Sequence, residues 1–205
     1  MNSEDRAVAL GIAPGLEDIA ERLAVYDQLL RRWQPKINLV GRSTLNAIWT
    51  RHFADSAQLA EFGNLGGQWV DLGSGAGFPG LVLALLQRFR GVGEMHLIES
   101  DSRKAAFLRE VSRETGANAF IHNDRCEDVL PELTPSVLTS RAMADIATLL
   151  QYASPFVEKG AVGLFLKGRD VGAELTRTSI PSNFSIVLAP SKVDPTGAIV
   201  QVRLV

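Results

Sequence analysis

The sequence predicts an α/β domain: a mainly parallel sheet with helices on both faces, an antiparallel last strand and an N-terminal helical extension. Three observations carry that expectation. From Gln68 onward short aliphatic runs alternate with helix-length stretches, the rhythm of strand-helix-strand units. A glycine-rich turn, VDLGSGAGFPG from Val70 to Gly80, follows the first of those runs. The final two runs flank the turn residues DPTG, as an antiparallel pair does.

Taken in order, the apolar residues Leu16, Ile19, Leu23, Tyr26, Leu30 and Trp33 recur at steps of three and four. That is one stripe of an amphipathic helix, and Pro35 stops it. A second helical segment is expected from about Leu45 to Phe62, with Ile48, Trp49, Phe53 and Leu59 among its apolar positions, before Gly63, Gly66 and Gly67 break the pattern. Residues 1–63 thus read as a helical extension packed on a main domain of residues 64–205, one compact unit overall. The main domain reads as WVDL, a helix from Pro79, MHLIE, a helix from Asp101, AFIH and a short helix near Glu127. VLTS, a helix from Asp145, VGLFLK, FSIVLA and AIVQVRLV complete it.

Composition narrows the function classes. A chain of 205 residues, 46% hydrophobic and 21% charged, has the makeup of an ordinary soluble domain. Its longest aliphatic block, Leu81 to Leu86, is far too short to cross a bilayer. A lone cysteine, Cys126, excludes an internal disulfide, and three scattered histidines beside it give no zinc spacing. The expectation is a cytoplasmic protein with no membrane partner and no metal. A net charge of -2 provides no overall attraction to nucleic acid, so any such binding must come from local patches.

The glycine turn sits where a parallel sheet binds ligands, between the end of a strand and the start of a helix. Glycines there let a ligand lie against the backbone, and the free N–H groups of the helix start face anionic groups. The pattern is D-x-G-x-G-x-G, formed by Asp71, Gly73, Gly75 and Gly77, and Phe78 stands where a dinucleotide fingerprint has its last glycine. This form suits S-adenosyl-L-methionine better than NAD. Glu99 ends the next strand, 22 residues after Gly77, where an acid accepts hydrogen bonds from both ribose hydroxyls of an adenosine ligand. Asp71 is placed either to orient the loop or to meet the ligand's ammonium group.

The segments NLVGRST, TRHFADS, WVDLGSGAGFPG, TSRAMA and FLKGRD, in this order, resemble the RsmG (GidB) family of bacterial ribosomal RNA methyltransferases. The resemblance runs from about Asn38 to Asp170 and includes the Phe-Pro-Gly tail of the glycine loop. It implies a class I, Rossmann-like methyltransferase that moves a methyl group from S-adenosyl-L-methionine to N7 of one guanine, position 527 in the 530 loop of 16S rRNA. The RNA would be met within the small ribosomal subunit or an assembly intermediate. By matching motif positions, the resemblance places cofactor contacts at Gly73, Phe78, Cys126, Glu127 and Arg141. Cys126 stands where the family often has alanine or an aliphatic residue, which restricts that contact to the backbone.

The residues suit this chemistry. Guanine N7 carries an in-plane lone pair and no proton, so no general base is needed and placement dominates, with effective molarities on the order of 10⁵ M or more. The sequence has no Asn/Asp-Pro-Pro-aromatic motif after the fourth strand, reading Ser140-Arg141-Ala142 instead, and Cys126 lies in an adenine-side loop rather than there. Arg141 would sit between cofactor and substrate, to hold a carboxylate, a phosphate or a guanine edge, and Lys167 joins it as a second positioning residue. A cation directly at N7 would block the lone pair, so carboxylate or phosphate is favoured. Candidate RNA contacts are Arg31, Arg32, Lys36, Arg51, His52, Lys167 and Arg169, with Arg42 nearby. The helical phase of Trp33 and Trp49 makes them core residues, and Arg103 and Lys104 read as a solvated helix face. His52 and Asp55 are placed to close the cofactor pocket, and Asp55 equally to cap or pair locally. Two other readings stand beside this one: a methyltransferase of another RNA or a small molecule, and a catalytically silent ribosome-assembly factor that binds RNA.

Overall fold

In the computed structural model, which describes residues 3–205, seven strands form one sheet. β1 (Gln68–Leu72), β2 (Glu94–Ile98), β3 (Phe120–His122), β4 (Val137–Arg141) and β5 (Val162–Lys167) pair in parallel. β6 (Phe184–Pro190) and β7 (Ala198–Leu204) complete the sheet in the order β3-β2-β1-β4-β5-β7-β6. The final strand, β7, therefore lies between β5 and β6 and runs against both.

Alternation along the strands explains why both faces are covered. In β1, Trp69 belongs to one apolar cluster with Leu97 and Leu164, whereas Val70 and Leu72 belong to the other with Ile98, Leu138 and Phe165. The first cluster is closed by α2 (Ala20–Trp33), α4 (Gly80–Arg90) and α5 (Ser102–Thr115), the second by α6 (Cys126–Val129), α7 (Ile146–Val157) and α8 (Val171–Arg177). The helix starts expected at Asp101 and Asp145 have a local cause. Asp101 accepts hydrogen bonds from the N–H groups of Arg103 and Lys104 at 2.8 and 3.2 Å, and Asp145 from that of Thr148 at 2.9 Å.

The N-terminal region differs from the sequence expectation in two ways. A helix absent from that expectation, α1 (Ser3–Ile12), precedes a 3₁₀ turn at Pro14–Ile19, so the continuous stripe from Leu16 is split and α2 begins at Ala20. The segment expected as one helix from Leu45 to Phe62 instead changes pitch repeatedly. It is 3₁₀ over Arg42–Ala47, π over Trp49–Ala54, a single turn of α-helix at α3 (Asp55–Ala57), then 3₁₀ over Gln58–Glu61. A long-range cap meets the segment where its π turn begins. The α1 carboxylate of Asp5 accepts from the backbone N–H groups of Trp49 and Thr50 at 2.9 and 3.1 Å and from the Thr50 hydroxyl at 2.5 Å. It thereby anchors the first turn of the π segment, whose Trp49 and Phe53 rings meet edge to face at 5.3 Å in the core. Both tryptophans read as core do pack there, Trp49 fully and Trp33 in part, with the Trp33 indole N–H donating to Glu110.

Because Asp5 is buried and satisfies three donors at once, Asp5→Ala is expected to lower stability by about 1–2 kcal/mol. A drop in the midpoint of urea unfolding at unchanged slope would register it. An unchanged midpoint would remove the cap from this account.

Candidate functional site

Two cavities open along the carboxyl edge of the parallel strands, and Arg141 and Ala142 line both. The first, about 470 Å³, is bounded by Gly73, Ser74, Gly75, Phe78, Glu99 and the Asp124–Glu127 segment. The second, about 440 Å³, is bounded by Arg51, His52, Asp55, Lys167, Arg169 and the turn between β6 and β7. They lie where strand ends leave side chains free to face a ligand.

The glycine loop takes its shape from backbone that other residues avoid. Gly73 and Gly75 have φ of 61° and 56°, in the left-handed region. A Cβ on Gly73 would strike the Met143 side chain, whereas one on Gly75 would enter open space with only Gly73 O at 3.8 Å. Gly75 is thus the point where the bare backbone faces the cavity. Gly77 has a different role. A Cβ there would meet Tyr26 Oη and Leu81 at 2.5 Å each, so its lack of a side chain admits α2 rather than a ligand. Tyr26 completes that contact by donating its hydroxyl to Ala76 O and stacking on Phe78 at 5.2 Å.

Asp71 also lies behind the loop and lines neither cavity. It is fully buried, accepting from Gly80 N at 3.2 Å and from the Thr139 hydroxyl at 3.0 Å. Of the two roles open from the sequence, this placement supports orienting the loop, since no ligand group reaches a carboxylate so enclosed. Burial pushes its pKa up to about 6, against hydrogen bonds from Ser74, Thr139 and Gly80 that pull it down. Glu99, by contrast, lines the first cavity. Its two oxygens accept from Gly75 N and Asp101 N, each at 2.8 Å, which fixes the carboxylate and leaves a lone pair on each oxygen for a ligand. Cys126 and Glu127 line the same cavity; burial pushes the Cys126 thiol up to about 11, so it is no thiolate at neutral pH. Lys104, expected on a solvated face, instead lines this cavity, as do Asp124 and Arg125. The strand-end position of Asp124, two residues after β3, was the signal for its part of the wall.

The second cavity gathers Arg51, His52, Lys167 and Arg169, whereas Arg31, Arg32 and Lys36 line neither cavity. Arg31 pairs with Asp27 at 2.6 Å and Arg32 with Glu110, so their charges serve α2 and its packing on α5. His52 is corrected as an RNA cation. It stacks on Phe78 at 4.8 Å and burial, with Arg141 and Arg51 nearby, lowers its pKa to about 3. The Thr44 hydroxyl donates to Gly41 O, so it accepts from His52 Nε2 at 2.8 Å, and the ring is the neutral Nε2–H form. Lys167 is likewise committed: its Nζ pairs with Glu174 at 2.7 Å and donates to Ala144 O at 2.9 Å. It clamps the segment after β4 rather than offering a free charge. Arg51 pairs with Asp194 at 3.0 Å, and Arg169 is exposed at the rim. Arg141 stands between the cavities, its guanidinium 4.9 Å above the Phe78 ring, 3.3 Å from Arg51 O and 3.5 Å from Asp55. Ala142 follows it with φ 55°, a strained conformation for a residue with a Cβ. Among the described residues no cluster of three or more potential metal ligands occurs, and no helix is long and apolar enough to cross a membrane.

The parallel sheet with an inserted antiparallel last strand, a glycine loop after β1 and an acid directly after β2 are those of a class I, Rossmann-like methyltransferase. A methyltransferase from Geobacter sulfurreducens shares the fold with a TM-score of 0.60 at 16% identity, over 90% of this chain and 89% of that one. An rRNA methylase from Streptococcus thermophilus does so with a TM-score of 0.54 at 14% identity, over 73% and 93%. Residues 19–190 match the GidB family, described as rRNA small subunit methyltransferase G, and the chain belongs to that family. The ribosomal RNA small subunit methyltransferase G of Rhodospirillum centenum is 50% identical over 199 residues, 96% of this chain and 88% of that protein. The protein of the same name from Methylobacterium radiotolerans is 45% identical over 203 residues, 98% and 96% of the two chains.

The buried carboxylate makes a pH-dependent prediction. An acid whose pKa is raised by folding binds its proton more readily in the fold than in the unfolded chain, so its contribution to stability falls as pH rises from about 4 through about 6. Asp71→Asn removes that loss. Relative to wild type, the variant is expected to gain on the order of 2–3 kcal/mol between pH 4 and pH 7, from about 1.4 kcal/mol per pKa unit. Denaturant unfolding of both proteins at the two pH values measures the difference, and a difference independent of pH would contradict the placement of this charge.

Proposed function

We propose that the protein transfers a methyl group from S-adenosyl-L-methionine to N7 of a guanine, position 527 in the 530 loop of 16S rRNA, within the small ribosomal subunit or an assembly intermediate in the cytoplasm. The observation that carries this reading is a pair of cavities sharing one wall. The first suits a methyl donor and the second an extruded or unpaired base.

The residues of the first cavity fit the donor. The open approach at Gly75, beside Gly73, admits an amino-acid end against the backbone. Glu99 is braced by two backbone N–H groups with acceptor capacity left for ribose hydroxyls, and the backbone around Cys126 and Glu127 would border the adenine. Phe78 and Arg141 close the side toward the second cavity. S-adenosyl-L-methionine, when bound, supplies an electrophilic methyl on a positively charged sulfur. The protein's own task is to hold the guanine in line with it and exclude water, which agrees with a site where His52 is neutral, Cys126 protonated and Lys167 already paired.

The same geometry supports a division of labour. Residues 1–63 would serve as a cover that fixes the glycine loop and one wall of the base cavity, and residues 64–205 as the methyltransferase body. Acidic and basic residues line the second cavity in equal number, so it offers little net attraction to phosphate. Recognition would then rest on the shape of a folded particle, with Arg169 and Arg51 as rim contacts.

Incubation with labelled S-adenosyl-L-methionine and small subunits lacking the modification is expected to label one guanine at N7, mapped by reverse transcription after cleavage at the modified base. Label elsewhere, or none, would sink the assignment. Gly75→Val is expected to weaken cofactor binding at least tenfold by calorimetry, because a branched side chain would occupy the cavity at a left-handed φ.

A further inference from the structure

We propose that Asp55 sets the charge balance of methyl transfer, its carboxylate compensating both Arg141 and the cation that forms on the methylated base. The inference rests on the proposed function and concerns a residue outside its cofactor and RNA contacts. As the base nitrogen's lone pair forms the new N–C bond, the C–S bonding pair returns to sulfur. No proton moves, and one positive charge passes from the first cavity to the second.

Arg141 lines both cavities, so an unopposed guanidinium would repel that charge at its origin and at its destination. Asp55 lines only the second cavity. Its Oδ2 lies 3.5 Å from Arg141 Nη1, and its Oδ1 accepts from Gln58 Nε2 at 2.8 Å. Gln58 is itself buried and fixed by the Lys192 N–H, which donates to its Oε1 at 3.0 Å. The carboxylate is thus held rigidly on the arrival side, where it lowers the energy of the incoming cation more than that of the departing one.

The neighbouring charges leave this partnership intact. Those facing Asp55 are Arg141 from β4, Arg51 from its own segment and Asp194 from the turn between β6 and β7. Asp194 takes up Arg51 at 3.0 Å, which leaves Asp55 as the acid that answers Arg141. Burial raises the Asp55 pKa, opposed mainly by Arg141, so the charge proposed to matter is lost on acidification earlier than an ordinary carboxylate's.

The test compares Asp55→Asn, Asp55→Glu, Arg141→Gln and the Asp55→Asn/Arg141→Gln pair in single-turnover methylation of small subunits, alongside calorimetric binding of the methyl donor and its thioether by-product. Asp55→Asn is expected to slow methyl transfer about tenfold or more at pH 7, the scale of one unit charge a few ångströms away in a partly screened site. Binding of donor and by-product stays within about threefold of wild type. Asp55→Glu recovers much of the rate. On acidification the wild-type rate falls more than that of Asp55→Asn, and the double variant loses less than the product of the single losses. Wild-type speed in Asp55→Asn, donor affinity that falls in step with the rate, or multiplicative losses would overturn the proposal. A wild-type protein that binds the donor yet leaves the subunit unmodified would overturn the proposed function, and this inference with it.

Discussion

Asp71 gives up all contact with water to join three elements: its carboxylate meets the first N–H of α4 and the hydroxyl of Thr139 on β4 from its own place at the end of β1. That arrangement fixes how the glycine loop leaves the sheet. Burying a carboxylate is unfavourable unless hydrogen bonds replace its hydration, and here they do so only in part, as its raised pKa records. The strain is spent at the ligand edge, where a fixed loop matters most. Gly73 and Gly75 hold left-handed backbone because they lack a Cβ, and Glu99 is braced by the same loop through Gly75 N.

The α/β body was legible in the sequence because its signals are local. Aliphatic runs of strand length, the caps Asp101 and Asp145 and the glycine spacing act through neighbours in the chain, and the elements they mark appear in place, whereas α8, which Asp170 precedes without a side-chain cap, was not expected. The N-terminal region was not legible, for an equally physical reason. The start of residues 49–54 is capped by Asp5, more than forty positions away, and no periodicity within the segment reports that contact. The site divides the same way. The places of Gly75 and Glu99 on the wall of the first cavity could be read from spacing. Lys167 could not, since its availability depends on Glu174 lying beside it, and Gly77 could not be told from a ligand-facing glycine until Tyr26 was seen against it.

Basic side chains at the second cavity are nearly all answered by acids: Arg51 by Asp194, Arg141 by Asp55, Lys167 by Glu174. Such pairing gives a rigid wall rather than an electrostatic funnel. Partly buried pairs of this kind fix geometry more than they add stability. The region between the cavities is built accordingly, with the Phe78 ring touched by Tyr26, His52 and the Arg141 guanidinium, so that α2, the π segment and β4 converge on one aromatic side chain of the glycine loop.

The position of β7 bears on how such a chain reaches its native state during synthesis. β6 emerges before β7 yet has no place in the sheet until β7 slots between it and β5. A nascent chain held just short of its last strand therefore shows an unpaired β5 edge and an orphan β6, two surfaces that invite pairing with other chains. The turn that carries Asp194 to the second cavity is tethered on both sides by those strands, so that cavity's wall closes only as β7 docks. Docking of β7 and completion of the cavity are in this fold a single event.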